Sequence, residues 1–276
     1  MKIGKILFSN YVLTNIESKL QYSEKRIKLK EKLYTIPVNE SFNADSECPI
    51  CQMKKSLEDN AVEFTLGPSY MEDDVRAETD KIGFCSHHIE KLYENQNRLG
   101  LALMLKTHMD KTIKDLEKLS SGTSKLSSPS LFKKKTEVSA VKTYIDHIAD
   151  SCYICERINN TFERYIDTIF SLYQNDSDFR NKFKQSKGFC TSHYGLLYDG
   201  AAKRLNAERS IDFINSLNTV YLDNMKRVRD DLEWFTNKFD YRYVNEPWKN
   251  SKDALPRTIV KTNSLINKVL LTNTEE

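Results

Sequence analysis

Two copies of one cysteine–histidine pattern constrain this chain more than any other feature of its sequence. Each copy is a C-x2-C pair followed by G-F-C-x2-H, and the spacing between the two halves differs by a single residue between the copies. The copies read Cys48-Pro49-Ile50-Cys51 with Gly83-Phe84-Cys85-Ser86-His87-His88, and Cys152-Tyr153-Ile154-Cys155 with Gly188-Phe189-Cys190-Thr191-Ser192-His193. A pattern that recurs together with its spacing predicts an internal duplication of one module.

The residue types in each copy are those of a closed zinc site. Zinc in structural sites takes four tetrahedral ligands, and three thiolates with one imidazole form one of its usual sets. A helical hairpin would return the second ligand pair of each copy to the first, so we predict one Cys3His site per module. The first site would use Cys48, Cys51, Cys85 and His88, and the second would use Cys152, Cys155, Cys190 and His193.

Two other uses of these cysteines stay open. Thiolates also hold iron–sulfur clusters, so such a cluster is the alternative cofactor to two Zn²⁺ ions. A C-x2-C pair can instead perform dithiol redox chemistry, although such motifs usually follow a strand and no strand pattern precedes Cys48. Beside the predicted ligand His88, His87 is interpreted as a surface residue or an outer-sphere neighbour of the metal. His108 and His147 are interpreted as ordinary helix or linker residues.

The sequence contains none of the common catalytic motifs. It has no P-loop, no G-x-G-x-x-G, no H-E-x-x-H and no G-x-S-x-G. A zinc site closed by four protein ligands would also leave no position for a catalytic water. These absences favour a binding protein over an enzyme, and no catalytic residue is assigned.

Composition favours a helical chain that is neither membrane-spanning nor strongly basic. The 276 residues include only 8 Gly and 6 Pro, which disfavours turn-rich β folds. The 42 Lys and Arg against 39 Asp and Glu give a net charge of +3, which argues against a protein that coats nucleic acid. No apolar run suits a membrane span or a signal peptide, so we expect a cytoplasmic protein with reduced thiols.

We expect an all-α protein of two related helical modules, because apolar residues recur at helical spacing in both halves of the chain. The predicted ranges are 1–33 for an N-terminal extension, 34–119 for the first module, 120–136 for a Ser/Lys-rich linker, 137–240 for the second module and 241–276 for an aromatic and basic tail. Within the first module, residues 34–38 are expected to be extended, because the residue before Pro37 avoids helical backbone.

Two kinds of surface are candidates for binding a partner. In the aromatic and basic tail, Arg242, Trp248 and Arg257 would line a groove between the modules and contact a protein or small molecule. The basic runs Lys25–Lys32 and Lys133–Lys135 would serve the less favoured nucleic-acid-binding alternative.

These segments together resemble a known family, the bacterial domain-of-unknown-function family 6062. The resemblance extends from about Glu31 to about Arg257. Besides the four Cys/His segments it rests on the stretches KLYTIPVN at 32–39, NRLGLA at 97–102, DYR at 240–242 and NSKDALPR at 250–257. It implies paired CPxC…GFCxxH modules and brings no established activity with it.

We therefore expect a zinc-binding helical protein that acts as a binding or scaffold protein, with two structural zinc sites. The first alternative is a metal- or thiol-dependent redox enzyme or sensor, which uses an iron–sulfur cluster or a reactive C-x2-C pair. The second alternative is a nucleic-acid-binding protein.

Overall fold

The computed structural model describes residues 33–121 and 138–266, and every regular element within these ranges is helical. This confirms the all-α class predicted from the composition and the apolar periodicity. Most of the predicted extension 1–33 and of the predicted linker 120–136 lies outside the described residues.

The helices are numbered here in chain order, and residues 33–43 form α1. The others are α2 (Pro49–Leu66), α3 (Asp73–Ile82), α4 (Ser86–Glu94), α5 (Arg98–Ser121), α6 (Ala140–Asp150), α7 (Tyr153–Asn175), α8 (Ser177–Gln185), α9 (Thr191–Arg204), α10 (Ala207–Asn237) and α11 (Ala254–Asn263). A short 3-10 turn at Pro68–Met71 lies between α2 and α3.

The chain divides into two compact units. The terminal unit draws on Met1–Met53 and Glu163–Glu276, and the central unit is Lys54–Phe162. Both boundaries fall inside a helix, one in α2 and the other in α7. The units therefore cut the chain differently from the continuous modules 34–119 and 137–240 suggested by the sequence pattern.

Aromatic side chains fill the core of the terminal unit. The ring of Tyr173 lies 4.8 Å from that of Phe213 and 5.2 Å from that of Phe183, and all three residues are fully buried. Phe183 also packs on Phe189, the residue before Cys190, at 5.1 Å between ring centroids. Edge-on and tilted ring pairs at these separations add to the hydrophobic contribution of the buried area. This core therefore holds the segment that carries Cys190.

Aliphatic side chains fill the core of the central unit. Leu92 of α4, Met104 of α5 and Ile154 of α7 are all fully buried. They belong to one cluster with Ala61 and Leu66 of α2. The start of α7, which carries Cys155, is thus packed against the helix that follows Cys85.

The segment around Pro37 differs from its prediction. Residues 33–43 are helical, so the extended conformation predicted for 34–38 is wrong. Val38 and Phe42 are both buried, and the Phe42 ring packs 4.9 Å from that of Phe179. Burial of these two side chains on one helix face outweighs the local preference that Pro37 imposes on its predecessor.

The tail contains a helix that its sequence pattern does not predict. No helical period marks this part of the sequence, yet Ala254–Asn263 forms α11. Before it, the buried ammonium of Lys238 donates to the carbonyl oxygens of Tyr243 at 2.7 Å and Val244 at 2.9 Å. Trp234 Nε1 donates to the carbonyl of Pro247 at 3.0 Å. These bonds satisfy the backbone of an irregular segment and position α11 on the terminal unit.

Candidate metal centres

The structure brings the eight predicted ligand residues together in two groups of four. In each group three sulfurs and one imidazole nitrogen all lie within 4.8 Å of one another. We call them the terminal centre, formed by Cys48, Cys51, Cys190 and His193, and the central centre, formed by Cys85, His88, Cys152 and Cys155. The grouping predicted from the sequence is therefore wrong, because each C-x2-C pair meets the C-x2-H pair of the other copy.

Helix lengths explain this exchange of partners. The predicted grouping requires a hairpin of two similar helices between the halves of each copy. Helix α2 has 18 residues and is about 27 Å long, whereas α3 has 10 residues and is about 15 Å long. The second copy is as uneven, since α7 has 23 residues and α8 has 9. The second helix is shorter than the first in both copies, so by itself it does not return the C-x2-H pair to the start of the first helix.

The terminal centre is built from two helix N-termini. Cys48 immediately precedes α2, whose first residue is Pro49, and Cys190 is the N-cap of α9. At each helix start, the sulfur of the cysteine accepts a hydrogen bond from the backbone N–H three residues later. The nitrogen of Cys51 lies 3.4 Å from Cys48 Sγ, and that of His193 lies 3.4 Å from Cys190 Sγ. A helix N-terminus favours an anion, so it stabilises these thiolates.

Gly188 makes the approach to Cys190 possible. Its φ is +83°, a conformation that residues with a side chain rarely adopt. A Cβ at this position would also lie 3.0 Å from the carbonyl oxygen of Val220 and 3.5 Å from Lys261 Nζ. Gly83, which precedes Cys85 in the central unit, likewise has a positive φ of 61°. The glycine of each G-F-C segment is therefore required by its backbone conformation.

The distances in the terminal centre fit four ligands of a single ion. His193 Nδ1 lies 3.5 Å from Cys48 Sγ, 3.3 Å from Cys51 Sγ and 3.2 Å from Cys190 Sγ. The sulfurs of Cys51 and Cys190 are 3.6 Å apart. A zinc tetrahedron with ordinary bond lengths has edges of about 3.8 Å between sulfurs and about 3.5 Å between sulfur and nitrogen. All four ligand residues are buried.

The end of the tail closes over the terminal centre. Ser264, just after α11, donates its hydroxyl to Cys190 Sγ at 3.0 Å. The fully buried Lys261 ammonium donates to the Glu47 carbonyl at 2.7 Å and pairs with the Glu47 carboxylate at 3.1 Å. Arg227 pairs with the same carboxylate at 2.6 Å. Two cations and one carboxylate thus lie beside Cys48, and their net positive charge complements a thiolate-rich centre.

The central centre repeats this construction. Cys85 is the N-cap of α4, and Cys152 immediately precedes α7. The two helix starts are joined directly, because the Tyr153 N–H donates to the carbonyl of Gly83 at 3.0 Å. The hydroxyl of Ser151 donates to the carbonyl of Ile82 at 2.9 Å. The backbone itself therefore brings Cys152 to Cys85.

Its ligand distances match those of the terminal centre. His88 Nδ1 lies 3.3 Å from Cys85 Sγ, 3.4 Å from Cys152 Sγ and 3.3 Å from Cys155 Sγ. The sulfurs of Cys85 and Cys155 are 3.9 Å apart. His88 and Cys152 are buried, whereas Cys85 and Cys155 are only partly buried. The two centres therefore share one geometry and differ in exposure.

Glu58 is a neighbour of the central centre that no sequence motif indicated. Its Oε1 lies 3.3 Å from His88 Nε2, on the opposite side of the ring from the sulfurs, and 2.7 Å from His87 Nε2. Lys91 pairs with the other carboxylate oxygen. Burial alone would raise the pKa of the Glu58 carboxyl, but its interactions with His88, Lys91 and His87 hold that pKa well below its usual range. A carboxylate in this place orients the imidazole for a metal.

The pKa directions of the terminal sulfurs favour a neighbouring cation. Burial raises the pKa of the Cys48 thiol, and the hydrogen bond to Cys190 raises that of Cys51. The same thiols, which donate to Cys190, lower the pKa of Cys190. One thiolate is thus stabilised by two neutral thiols, and further ionisation would place like charges together without water. A bound metal ion removes this penalty.

The central centre follows the same rule. Burial opposes ionisation of Cys152, but the hydrogen bond from His88 outweighs it and lowers the pKa of this thiol. Burial and then the charge of Cys152 raise the pKa of Cys155. Here too one thiolate is stabilised within the protein, and a positive ion between the sulfurs would favour a second.

The residues proposed for a partner surface all lie in the terminal unit. Arg257 pairs with Asp231 at 2.8 Å and with Asp253 at 2.7 Å. Arg242 pairs with Asp240, and the Trp248 ring packs 6.0 Å from that of Phe235. Trp248 is 36% exposed, so part of its ring remains accessible. A groove that uses Arg242, Trp248 and Arg257 stays a prediction.

His108 contacts the polypeptide beside the central centre without joining it. Its Nδ1 lies 2.9 Å from the carbonyl oxygen of Asp80, and its ring occupies the space that a Cβ at Gly83 would need. It therefore packs against the backbone that precedes Cys85.

These features define a class: an all-helical protein with two candidate metal centres, each of three cysteines and one histidine. The comparison with protein families is specific. The chain belongs to the family of unknown function DUF6062, whose model matches residues 29–269. No curated protein and no solved structure matches the chain. Within the described residues, no helix has the length and apolar character needed to cross a membrane.

Proposed function

We propose that this protein is a zinc-binding scaffold in which two structural zinc ions hold helix starts together. The observation that carries the proposal is the convergence of three sulfurs and one imidazole nitrogen within 4.8 Å, twice in one chain. The terminal ion would be held by Cys48, Cys51, Cys190 and His193, and the central ion by Cys85, His88, Cys152 and Cys155. Each ion would join two chain segments that are far apart in sequence, as structural zinc does in small domains.

The donor set and its size support zinc over an iron–sulfur cluster. A multinuclear cluster places its cysteines on different iron ions, so their sulfurs lie farther apart than the ligands of one ion. The sulfur pairs given above, 3.6 and 3.9 Å apart, have the separation expected for one tetrahedral ion. Four protein ligands also complete the coordination of zinc, which supports a structural role over a catalytic one.

Metal analysis of the full chain purified without oxygen tests the proposal. We expect two zinc ions per chain and no visible absorption, and exchange for Co²⁺ should give the visible spectrum of tetrahedral thiolate ligation. Iron with sulfide and a brown colour would overturn it in favour of a redox protein. A colourless protein with six freely reactive thiols would overturn it in favour of dithiol chemistry.

The scaffold role implies a partner, for which we propose a protein or a small molecule. Binding through Arg242, Trp248 and Arg257 is the form of this proposal that a surface variant can test. The nucleic-acid alternative depends on Lys25–Lys32 and Lys133–Lys135, which lie outside the described residues. Six free cysteines suit a reducing compartment, so we propose the cytoplasm as the location.

We also propose that the chain arose by duplication of one helical module, with copies at 34–119 and 137–240. Each copy runs from a C-x2-C pair at the start of a long helix, through a short helix, to a glycine with positive φ and a cysteine N-cap. The exchange of ligand pairs between copies supports a duplication whose two products fold together. Neither copy would then complete a metal site alone.

A further inference from the structure

We propose that the central centre is a thiol-oxidation site, at which a peroxide joins Cys85 and Cys155 as a disulfide and releases the bound zinc. The terminal centre would keep its ion under the same conditions. This inference rests on the proposed zinc binding and deepens it, because it assigns different behaviour to two centres of identical ligand composition.

Access to the sulfurs is the first difference between the centres. The terminal sulfurs are closed to solvent, with Cys48 and Cys190 at 0% exposure and Cys51 at 4%. In the central centre Cys85 and Cys155 are both partly exposed. An oxidant must touch sulfur to react, so the two partly exposed cysteines give it a route to the central centre that the buried cysteines of the terminal centre do not.

Protection of the sulfurs by neighbouring groups is the second difference. The Ser264 hydroxyl donates to Cys190 Sγ, and the Thr191 hydroxyl donates to the Lys261 carbonyl at 3.2 Å, so α11 is fixed over the terminal centre. In the part of the chain that the structure describes, no hydroxyl donates to a sulfur of the central centre. A hydrogen bond withdraws negative charge from a thiolate, so the central sulfurs remain the stronger nucleophiles.

The sulfurs of the two partly exposed cysteines are also placed to react with each other. Cys85 Sγ and Cys155 Sγ are 3.9 Å apart, and a disulfide needs about 2.05 Å. They come from different helix starts, which the Tyr153–Gly83 hydrogen bond holds together after the metal leaves. The buried pair, His88 and Cys152, would stay in place. Closure of the disulfide therefore requires only a small movement of two side chains.

The chemistry balances with hydrogen peroxide as oxidant. One thiolate attacks a peroxide oxygen, the O–O bond breaks, and the hydroxide that leaves takes a proton to become water. The resulting sulfenic acid is attacked by the second thiolate, which forms the S–S bond and expels a second hydroxide, protonated in turn. Two thiolates lose two electrons, one peroxide gains them, and two protons end in two waters. The Zn²⁺ ion loses two of its four ligands and dissociates unchanged in charge.

The experiment uses the zinc-loaded full chain and a limiting amount of hydrogen peroxide. Metal content is measured first, then zinc release is followed with a chromophoric chelator, and disulfides are mapped by differential alkylation and mass spectrometry. We expect one of two zinc ions to leave at least tenfold faster than the other, together with a Cys85–Cys155 disulfide. A dithiol reductant with added zinc should restore the starting state.

Ser264→Ala tests the predicted difference between the two centres, because it removes the hydroxyl that donates to Cys190 Sγ and leaves all eight proposed ligand residues unchanged. It should speed zinc loss from the terminal centre and leave the central rate unchanged. Equal release of both ions, earlier release from the terminal centre, or a disulfide that excludes Cys85 would overturn the inference while leaving zinc binding intact. A chain that contains no zinc before peroxide is added would instead contradict the proposed function, and this inference with it.

Discussion

Glu58 lies outside the ligand set of the central candidate centre, yet it contacts the imidazole of one of its residues. An imidazole binds metal through one nitrogen, and the partner of the other nitrogen fixes the tautomer and the orientation of the ring. In the central centre that partner is Glu58, 3.3 Å from His88 Nε2. The Glu58 carboxylate also forms an ion pair with Lys91, so it is held in place from two sides.

Glu58→Gln should weaken zinc binding at the central centre by about 10- to 100-fold, because the amide lacks the charge that supports His88. Competition with a chelator of known affinity measures the change at each centre. Glu63→Gln, an exposed position on the same helix, is the matched control and should bind zinc normally. Equal affinities for the Glu58 and Glu63 variants would show that the carboxylate plays no part in binding.

Tyr173 gives a prediction about the terminal core. Burial raises the pKa of Tyr173 to about 12, and its hydroxyl donates to Asp212 Oδ2 at 3.0 Å. The folded pKa is above the unfolded value of about 10, so the contribution to stability is complete below pH 10 and is lost as the pH rises towards 12. Between these values the wild type should lose about 2 kcal/mol more than Tyr173→Phe. Denaturant titrations across this pH range would refute the assignment if the two proteins lost stability in parallel.

At the scale of elements, both candidate centres are built from residues at helix N-termini. Four ligand pairs lie at the N-termini of α2, α4, α7 and α9, where unpaired backbone N–H groups favour thiolates. Elsewhere ordinary caps serve the same purpose. Asp176 caps α8 by accepting from the N–H groups of Asp178 at 2.8 Å and Phe179 at 3.1 Å. That cap positions the short helix that leads to Cys190.

Asp176→Ala should lower the free energy of unfolding by about 1 kcal/mol, because two N–H groups at the start of α8 lose their acceptor. Ser177→Ala, at the next position and exposed, should change it by less than about 0.5 kcal/mol. Urea unfolding of both zinc-loaded variants measures the difference. A loss in the Ser177 variant as large as that in the Asp176 variant would argue that helix propensity, and not the cap, stabilises this end.

At the scale of the whole molecule, the exchange of ligand pairs brings together segments that are far apart in the sequence. The first C-x2-C pair needs a C-x2-H pair that lies more than a hundred residues later, since Cys51 and His193 are 142 positions apart. Neither half of the chain contains a complete terminal centre. Binding of an ion at the terminal centre would therefore stabilise contacts between these distant segments of the chain.

Paired substitutions distinguish this arrangement from one site per continuous module. Cys48→Ser with Cys190→Ser should leave one zinc ion, because both ligands belong to the terminal centre. Cys48→Ser with Cys85→Ser should leave none, because each removes a ligand from a different centre. The single variants, each expected to retain one ion, are the controls, and circular dichroism reports whether each protein remains helical. Reversed stoichiometries in the two double variants would restore the pairing predicted from the sequence.

Much of this protein could be predicted from its sequence, and the failures have definite causes. The helical class follows from composition and periodicity, and the candidate ligand residues follow from the spacing of Cys and His within one helical turn. Residues 34–38 were mispredicted because burial of Val38 and Phe42 overrides a local preference. Glu58, Lys261 and Ser264 were missed because each reaches its centre through the fold and belongs to no motif.

By itself, the sequence determined which residues are candidate metal ligands and how they pair locally, because two side chains three positions apart at a helix start lie close together. Only the tertiary structure decided which pairs come together and which centre is closed. Those outcomes depend on the unequal lengths of α2 and α3, on the packing of the cores and on where α11 comes to rest. Many weak contacts between distant segments together produce these outcomes, so the local spacing of residues does not predict them.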